Sequence, residues 1–493
     1  MPNPAIPFDN TYARDLPGFY EPCRPATVPA PELLFFNRGL AEELQLGLAG
    51  WEAAALAAMF SGNALPDGAQ PIAQAYAGHQ FGQFSPQLGD GRALLLGEVI
   101  DSHGQRRDIA LKGSGRTPFS RRGDGKAAVG PMLREVLVGE AMHALGIPTT
   151  RALAVVATGE PVYRESTLPG AVLTRVAASH LRVGTFQYFA AHGTPEMLRR
   201  LADYAIARHY PELLGAEDRY LGFLRAVAER QAALVAQWLH VGFIHGVMNT
   251  DNMSIPGETI DYGPCAFMEA YDPRAVFSSI DEMGRYAYEA QPRIARWNLA
   301  RLAETLLPVI ADNEGRAIEL ATEVIDGFMA RHKHYWLAGL RAKLGLDGRD
   351  DHVDTALGES WLDLLHAQQV DFTLTWRRLA DAAEGDDAPL RALFAGQPGL
   401  DRWLERWRDR CAAEDTAPAN RAEAMRRVNP WLIPRNHRVE EALAAATDEG
   451  DLAPFEHLLN ALRRPYDEDP ANARYAEPAS GAFMAEFRTF CGT

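Results

Sequence analysis

The segment Ile109-Ala110-Leu111-Lys112 closes on a lysine two residues after an alanine. In an extended chain side chains alternate, so Ala110 and Lys112 share one face, and Ile109 and Leu111 share the other. The small residue leaves room for a flat base, and the ammonium two places on can reach that base's phosphates. Ahead of it, Gly89-Asp90-Gly91-Arg92 has two glycines that let a backbone lie over phosphates. After it, Met132-Leu133-Arg134-Glu135-Val136-Leu137 carries Glu135, a carboxylate able to hold the lysine. Farther on, His245-Gly246-Val247-Met248-Asn249-Thr250-Asp251-Asn252 precedes Thr259-Ile260-Asp261-Tyr262-Gly263. Asn252 and Asp261 are hard oxygen donors of the kind Mg²⁺ takes, with phosphates and water as its remaining ligands.

Taken singly, each feature has an ordinary reading: a tight turn, a solvated lysine, a glutamate favoured in a first helical turn, a capped loop. Their order is more specific. Glycine loop, strand lysine, helix glutamate, Asp-Asn loop and Asp-x-Gly follow one another as they do in protein kinases. The departures are equally definite. No His-Arg-Asp followed five residues on by Asn is present, and Asp251 and Asn252 are adjacent, so a standard phosphate-transfer base is not obvious. Arg116, Arg121, Arg122 and Lys126 crowd the loop after Lys112, and Arg175 and Arg182 follow. That is more cation than one γ-phosphoryl transfer needs. Gly125-Lys126-Ala127 is not a P-loop, because residue 127 has no hydroxyl and Ser120 stands where the first glycine belongs.

These residues require a hairpin, a helix and a long loop in sequence. Strands are expected over Ala93–Ile100 and Arg107–Lys112, with the turn at Asp101 to Gln105. A helix is expected from Pro131 to Leu145. Strands are expected at Thr150–Ala157 and Ala171–Arg175, with Gly159 as the turn. Arg38–Phe60 reads as helix behind an extended arm, and Thr259-Ile260 as an apolar strand. After about residue 185 the pattern is helical: Leu198–His209, Leu221–His240, two or more helices in Leu299–Leu337, then Ser360–Ala382 and Leu390–Ala412. The fold class is therefore α+β, a kinase-like two-lobed chain with a β-rich N-lobe, a helical C-lobe and extensions at both ends. The expected division is 1–75 (arm and helix), 76–180 (N-lobe), 181–400 (C-lobe with catalytic and metal loops) and 401–493 (helical extension and tail). The cleft between the lobes is the expected site.

Composition narrows the classes. In 493 residues there are 49 Lys and Arg against 65 Asp and Glu, a net charge of −16. This disfavours a nucleic-acid partner, which needs a basic face to displace counterions. The longest nearly apolar stretch, Leu48 to Phe60, is too short to span a bilayer, and the first residues lack a secretory pattern, so no membrane partner and a cytoplasmic location are expected. The four cysteines, Cys23, Cys265, Cys411 and Cys491, are too scattered for a CxxC site.

The motifs together closely resemble the selenoprotein O family (SelO, also called YdiU), the kinase-like protein adenylyltransferases. The resemblance rests on Phe8-Asp9-Asn10-Thr11-Tyr12, Gln87 to Arg92, Leu111 to Gly115, Gly123-Asp124-Gly125, His245 to Asn252, Ile260 to Pro264 and Asn429 to His437. It implies ATP bound in a flipped orientation and AMP, not phosphate, transferred to Ser, Thr or Tyr hydroxyls of proteins, with UMP from UTP also attributed to the family. It implies nucleotide contacts from Gly89, Gly91, Arg92, Lys112, Asp124, Gly125, Arg175 and Arg182, with Glu135 holding Lys112. It further implies Mg²⁺ or Mn²⁺ on Asn252 and Asp261, and Asp251 as proton acceptor. Family members often carry a cysteine or selenocysteine near the C-terminus, which makes Cys265 and Cys491 a possible redox pair; the Cys491-Gly492-Thr493 ending departs from the family's usual tail. An ATP-dependent phosphotransferase and a non-catalytic nucleotide-binding scaffold stand as alternatives.

Overall fold

The computed structural model describes residues 6–394 and 399–490. Strands whose central residues are buried on both faces build one eight-stranded antiparallel sheet in the N-terminal part. Its centre is the hairpin Ala93–Ile100 with Arg106–Lys112, closed where Asp101 Oδ1 accepts the amides of His103 and Gln105. Arg106–Lys112 pairs on its other side with Thr167–Ala177, setting Arg175 opposite Ala110 and Leu173 opposite Lys112. Opposed residues share a face, so Lys112 and Arg175 project to the same side. Ile109 and Leu111 face the other way, into a core made with Leu40, Leu44, Leu56 and Phe60 of the N-terminal segment. That segment also supplies both edge strands, Tyr20–Pro22 and Glu32–Phe36.

Local expectations fail where glycine or a distant contact decides the backbone. Residues 38–60 form two helices, Arg38–Glu43 and Ala53–Phe60, because Gly47 and Gly50 between them hold φ of 66° and 78°. Gly159 is no turn: it lies inside the strand Arg151–Tyr163 at φ 74°, where a Cβ would stand 2.5 Å from that of Ala30. The turn falls instead at Arg164, whose amide donates to Ser166 O. The glutamate helix begins at Val129, with Pro131 inside its first turn, where a missing N–H costs nothing. Thr259-Ile260 makes only a single bridge, Thr259 to Thr149.

The C-terminal part is helical, with Pro195–His209, Arg219–His240, Gln291–Ile310, Glu314–Asp326 and Phe328–Leu344 as its main elements. The helix expected over 360–382 divides at Gln369 (φ 51°) into Asp351–Gln368 and Phe372–Ala383, and that over 390–412 is Ala388–Leu393 and Leu400–Ala412. A two-stranded ribbon, Phe243–Ile244 with Ala266–Phe267, brackets the loop that holds Asp251, Asn252 and Asp261. Past it, Asn436–Ala444 and Ala453–Leu462 pack on the helix Val129–Ala144, burying Leu133, Val136 and Leu137 against Val439, Leu458 and Leu459. The result is a kinase-like pair of lobes, one sheet-based and one helical. Among the described residues no helix is long and apolar enough to cross a membrane.

Candidate active site

The sheet, the glutamate helix and the ribbon loop deliver their charged residues to one point between the lobes. Lys112 Nζ lies 2.5 Å from Glu135 Oε1 and 2.5 Å from Asp261 Oδ1. Arg175 Nη1 donates to the same Asp261 oxygen at 2.8 Å. Asp261 adopts a left-handed backbone (φ 64°), a conformation aspartate tolerates better than most residues. Burial alone would raise its pKa, but Lys112, Arg175 and Arg182 outweigh burial and hold the carboxyl well below the usual range.

Across the cleft, Thr250–Asn252 form one tight turn. Asn252 Nδ2 donates to Val247 O at 2.9 Å, which leaves its amide oxygen as the atom available to a ligand. Asp251 Oδ1 is buried and has no hydrogen-bond partner among the described residues. Burial pushes Asp251 up to about 6 against the pull of Arg182. Arg182 donates to Asp251 O at 3.0 Å while its guanidinium lies 4.3 Å from the centre of the Tyr76 ring.

A hairpin from the N-terminal part, Gly78–Gln80 with Gln83–Ser85, reaches over this turn. His79 N donates to Thr250 Oγ1 (2.7 Å) and Phe81 N to Asn249 Oδ1 (3.0 Å). A Cβ on residue 78 would stand 2.5 Å from Asp251 Oδ1, so only glycine lets the strand pass. This contribution is hidden in a Gly- and Gln-rich stretch that reads as loop; the usable signal is a His-Gln-Phe triplet held between Gly78 and Gly82. Asp90, between Gly89 and Gly91, is a second such residue. It is buried, accepts Gln74 N at 2.9 Å, and is pushed up to about 6 by burial.

The deep part of the cleft, about 330 Å³, is lined by Lys112, Glu135, Arg175, Arg182, Asn252 and Asp261. An outer recess of about 610 Å³ joins it through Gly91, Arg92 and Asp251, and adds Gly89, Asp124 and Gly125. Asp124 is braced by Arg164 (2.9 and 3.1 Å) and by the amide of Lys126 (3.0 Å). All the residues singled out for nucleotide, metal and proton transfer therefore border one continuous space. Among the described residues, no group of three or more His, Cys, Asp or Glu side chains is arranged to hold a metal. One carboxylate and one amide oxygen fit a cation that takes the rest of its ligands from phosphate and water.

Cys265 is buried just behind this site, with its thiol donating to Tyr262 O at 3.1 Å and pushed up to about 11 by burial. Cys491 lies outside the described residues. The tail approaches nonetheless: Thr489 Oγ1 donates to Pro264 O at 2.6 Å.

Comparison with known proteins identifies relatives along the whole chain. A family model described as "Protein adenylyltransferase SelO" matches residues 4–463. A protein of Chromobacterium violaceum named "Protein nucleotidyltransferase YdiU" is 63% identical over 480 residues, covering 97% of this chain and 100% of the relative. Proteins of the same name from Rhizobium rhizogenes and Cereibacter sphaeroides are 60% and 62% identical over 492 and 487 residues, each across 99% of this chain and 97% and 99% of the relative. With a kinase-like pair of lobes, a cation-rich cleft and full-length relatives at this level of identity, the chain belongs to the SelO family of protein adenylyltransferases.

Proposed function

We propose that this enzyme transfers AMP from ATP to Ser, Thr or Tyr hydroxyls of other proteins in the cytoplasm and releases pyrophosphate, with UTP as a second donor. The observation that carries this reading is that Lys112, Arg175 and Arg182 line one cleft together with Asp251, a carboxylate whose Oδ1 has no hydrogen-bond partner among the described residues. Attack at the α-phosphorus expels pyrophosphate, a leaving group with several negative charges. Fixed cations in a partly water-excluded cleft stabilise that charge as it develops, without reorganising. Glu135 keeps Lys112 in place when phosphate oxygens replace Asp261 as its second partner. Gly89, Gly91 and Arg92 with Asp124 and Gly125 form the wall for the rest of the nucleotide. Asp251 accepts the hydroxyl proton of the acceptor: near neutral pH it is ionised, yet more basic than an exposed aspartate. Asn252 and Asp261 would hold Mg²⁺ or Mn²⁺, which supplies neutralisation of phosphate charge.

The competing reading is a phosphotransferase, favoured by the kinase-like set of Lys112, Glu135 and Asp261. Labelled ATP separates the two. The enzyme is incubated with a mixture of soluble proteins and ATP carrying radiolabel on either the α- or the γ-phosphate. α-Label on the acceptor and γ-label in pyrophosphate is the expected result. γ-Label on the acceptor returns the enzyme to the phosphotransferases, and no label from either nucleotide leaves a non-catalytic scaffold.

A further inference from the structure

We propose that His180 is a positioning residue for nucleotide binding: its Nε2 accepts the Nε–H of Arg175, and Asp108 fixes the imidazole in the tautomer that permits this. The proposal rests on the reading above that Arg175 meets the nucleotide phosphates.

The strand Thr167–Ala177 delivers Arg175, and the connection between the lobes then brings His180 back behind it. Arg175 Nε lies 3.3 Å from His180 Nε2. A guanidinium has only donors, so Nε2 must be the unprotonated nitrogen. The proton then sits on Nδ1, and Nδ1 lies 2.9 Å from Asp108 Oδ2, a carboxylate that can only accept. The same Oδ2 takes the backbone N–H of His180, also at 2.9 Å. Asp108 is held in turn by Arg208, 2.6 Å from Oδ1. Arg208 also binds Glu98, and Glu98 accepts Tyr12 N and Thr11 Oγ1 of the N-terminal arm. Asp108, His180, Arg175, Arg208 and Glu98 are all buried or nearly so. Burial draws the imidazole down to about 4 against the raising effect of Asp108, consistent with a neutral ring.

The choice of residue has a physical logic. Asp108, Ala110 and Lys112 lie on one face of their strand, so an acidic side chain at 108 is already directed behind Arg175. Direct contact with that carboxylate would orient the guanidinium but cancel the charge that phosphate must feel. A neutral imidazole between them fixes the Nε edge and leaves the cation uncancelled on that side. Arg175 Nη1 is on Asp261, so the arginine is aimed at the cleft before any nucleotide arrives.

Two substitutions in the full-length protein divide the two contacts of the ring. In His180→Asn the amide can stand where Nδ1 stood, keeping Asp108 but not reaching Arg175. In His180→Gln the carbonyl can stand where Nε2 stood and accept from Arg175. ATP affinity is measured by calorimetry with Mg²⁺, together with KM and kcat for transfer. The Asn variant is expected to bind ATP about tenfold more weakly, and the Gln variant close to the parent, the loss being that of one hydrogen bond to a charged group. In an Arg175→Ala background the Asn change is expected to add nothing. The reverse ranking of Asn and Gln, or an Asn effect that persists without Arg175, overturns the proposal. Parental ATP affinity in Arg175→Ala overturns the assignment of Arg175 and this inference with it. Should a His180 variant fail to fold, Arg175→Lys tests the same contact: it retains the charge but lacks the Nε–H, and is expected to lose affinity as Ala does. Full affinity in that variant counts against the positioning role.

Discussion

Asp251 Oδ1 is buried without a hydrogen-bond partner among the described residues, and the Asp251 backbone oxygen accepts from Arg182; in the proposed reaction Asp251 is the base. Asp251→Asn preserves its size and its backbone contact with Arg182 but removes the base. The expected result is a fall in kcat of about 10²- to 10⁴-fold with ATP affinity within a few-fold of the parent. Single-turnover transfer and calorimetry read the two separately, and a variant that loses both equally would place Asp251 in binding. Glu258 sits behind the connection between the lobes, accepting Ala178 N at 2.8 Å, and burial pushes it up to about 7. Its folded value lies above the unfolded one, so between pH 4.5 and 7 the native state binds more protons, and this group lowers stability as pH rises through that window. Glu258→Gln keeps the acceptor without the charge. It is expected to gain about 3 kcal/mol over the parent at pH 8 and nothing at pH 4.5. Urea unfolding at the two pH values checks this; an equal gain at both would point to packing.

Among the elements, the helix Val129–Ala144 and the segment after Asp261 correspond to the two parts of a kinase that move on activation. Here both are tied to the C-terminal helices. Arg134 donates to Tyr262 O and Cys265 O and pairs with Glu440 at 3.0 Å. The Asn436 side chain pairs with both backbone groups of Phe267, as a neighbouring strand would. Arg435, fully buried, lies between Glu269 and Asp371. Removing one member of such a cluster leaves buried charge without compensation, which costs more than the intact cluster contributes. Arg435→Ala is expected to destabilise the protein by about 3–5 kcal/mol. A denaturant midpoint within error of the parent would show that the tie is dispensable.

For the whole molecule, the C-terminal region is part of the site's support. Ending the chain after Asn429 would strip the cover from Leu133, Val136 and Leu137, so the truncated protein is expected to bind a hydrophobic dye strongly and to lose transfer. A well-folded, dye-silent truncation would contradict that view. The tail carries the redox expectation. We propose Cys265 and Cys491 as a redox pair: with oxidised glutathione as oxidant, peptide mapping is expected to recover their disulfide, formed slowly because the Cys265 thiol is buried and pushed up to about 11, and its reduction to change the transfer rate. Absence of the bridged peptide, or an unchanged rate, removes the regulatory role and leaves the cleft assignments intact.

What the sequence determined by itself was local. Alternation put Ala110 and Lys112 on one strand face, the residues around Asp101 announced the hairpin turn, and Asn252 with Asp261 read as oxygen donors, because strand period, turn chemistry and ligand hardness depend on a few adjacent residues. The motif order was enough to assign two lobes and a cleft. Tertiary structure decided everything that needed a partner far along the chain. Lys112 and Asp261, 149 residues apart, meet only once strand and ribbon loop are packed together. Gly159 stays within a strand because the chain on both sides of it pairs with Thr167–Ala177 across a bulge, with Ala30 packed where a Cβ would be, although on local grounds it is a turn. The hairpin at Gly78, the His180 contact behind Arg175 and the clasp of Arg435 leave weak marks in the sequence. Their side chains and backbones acquire meaning only from long-range contacts, whereas periodicity and turn propensity record only near neighbours.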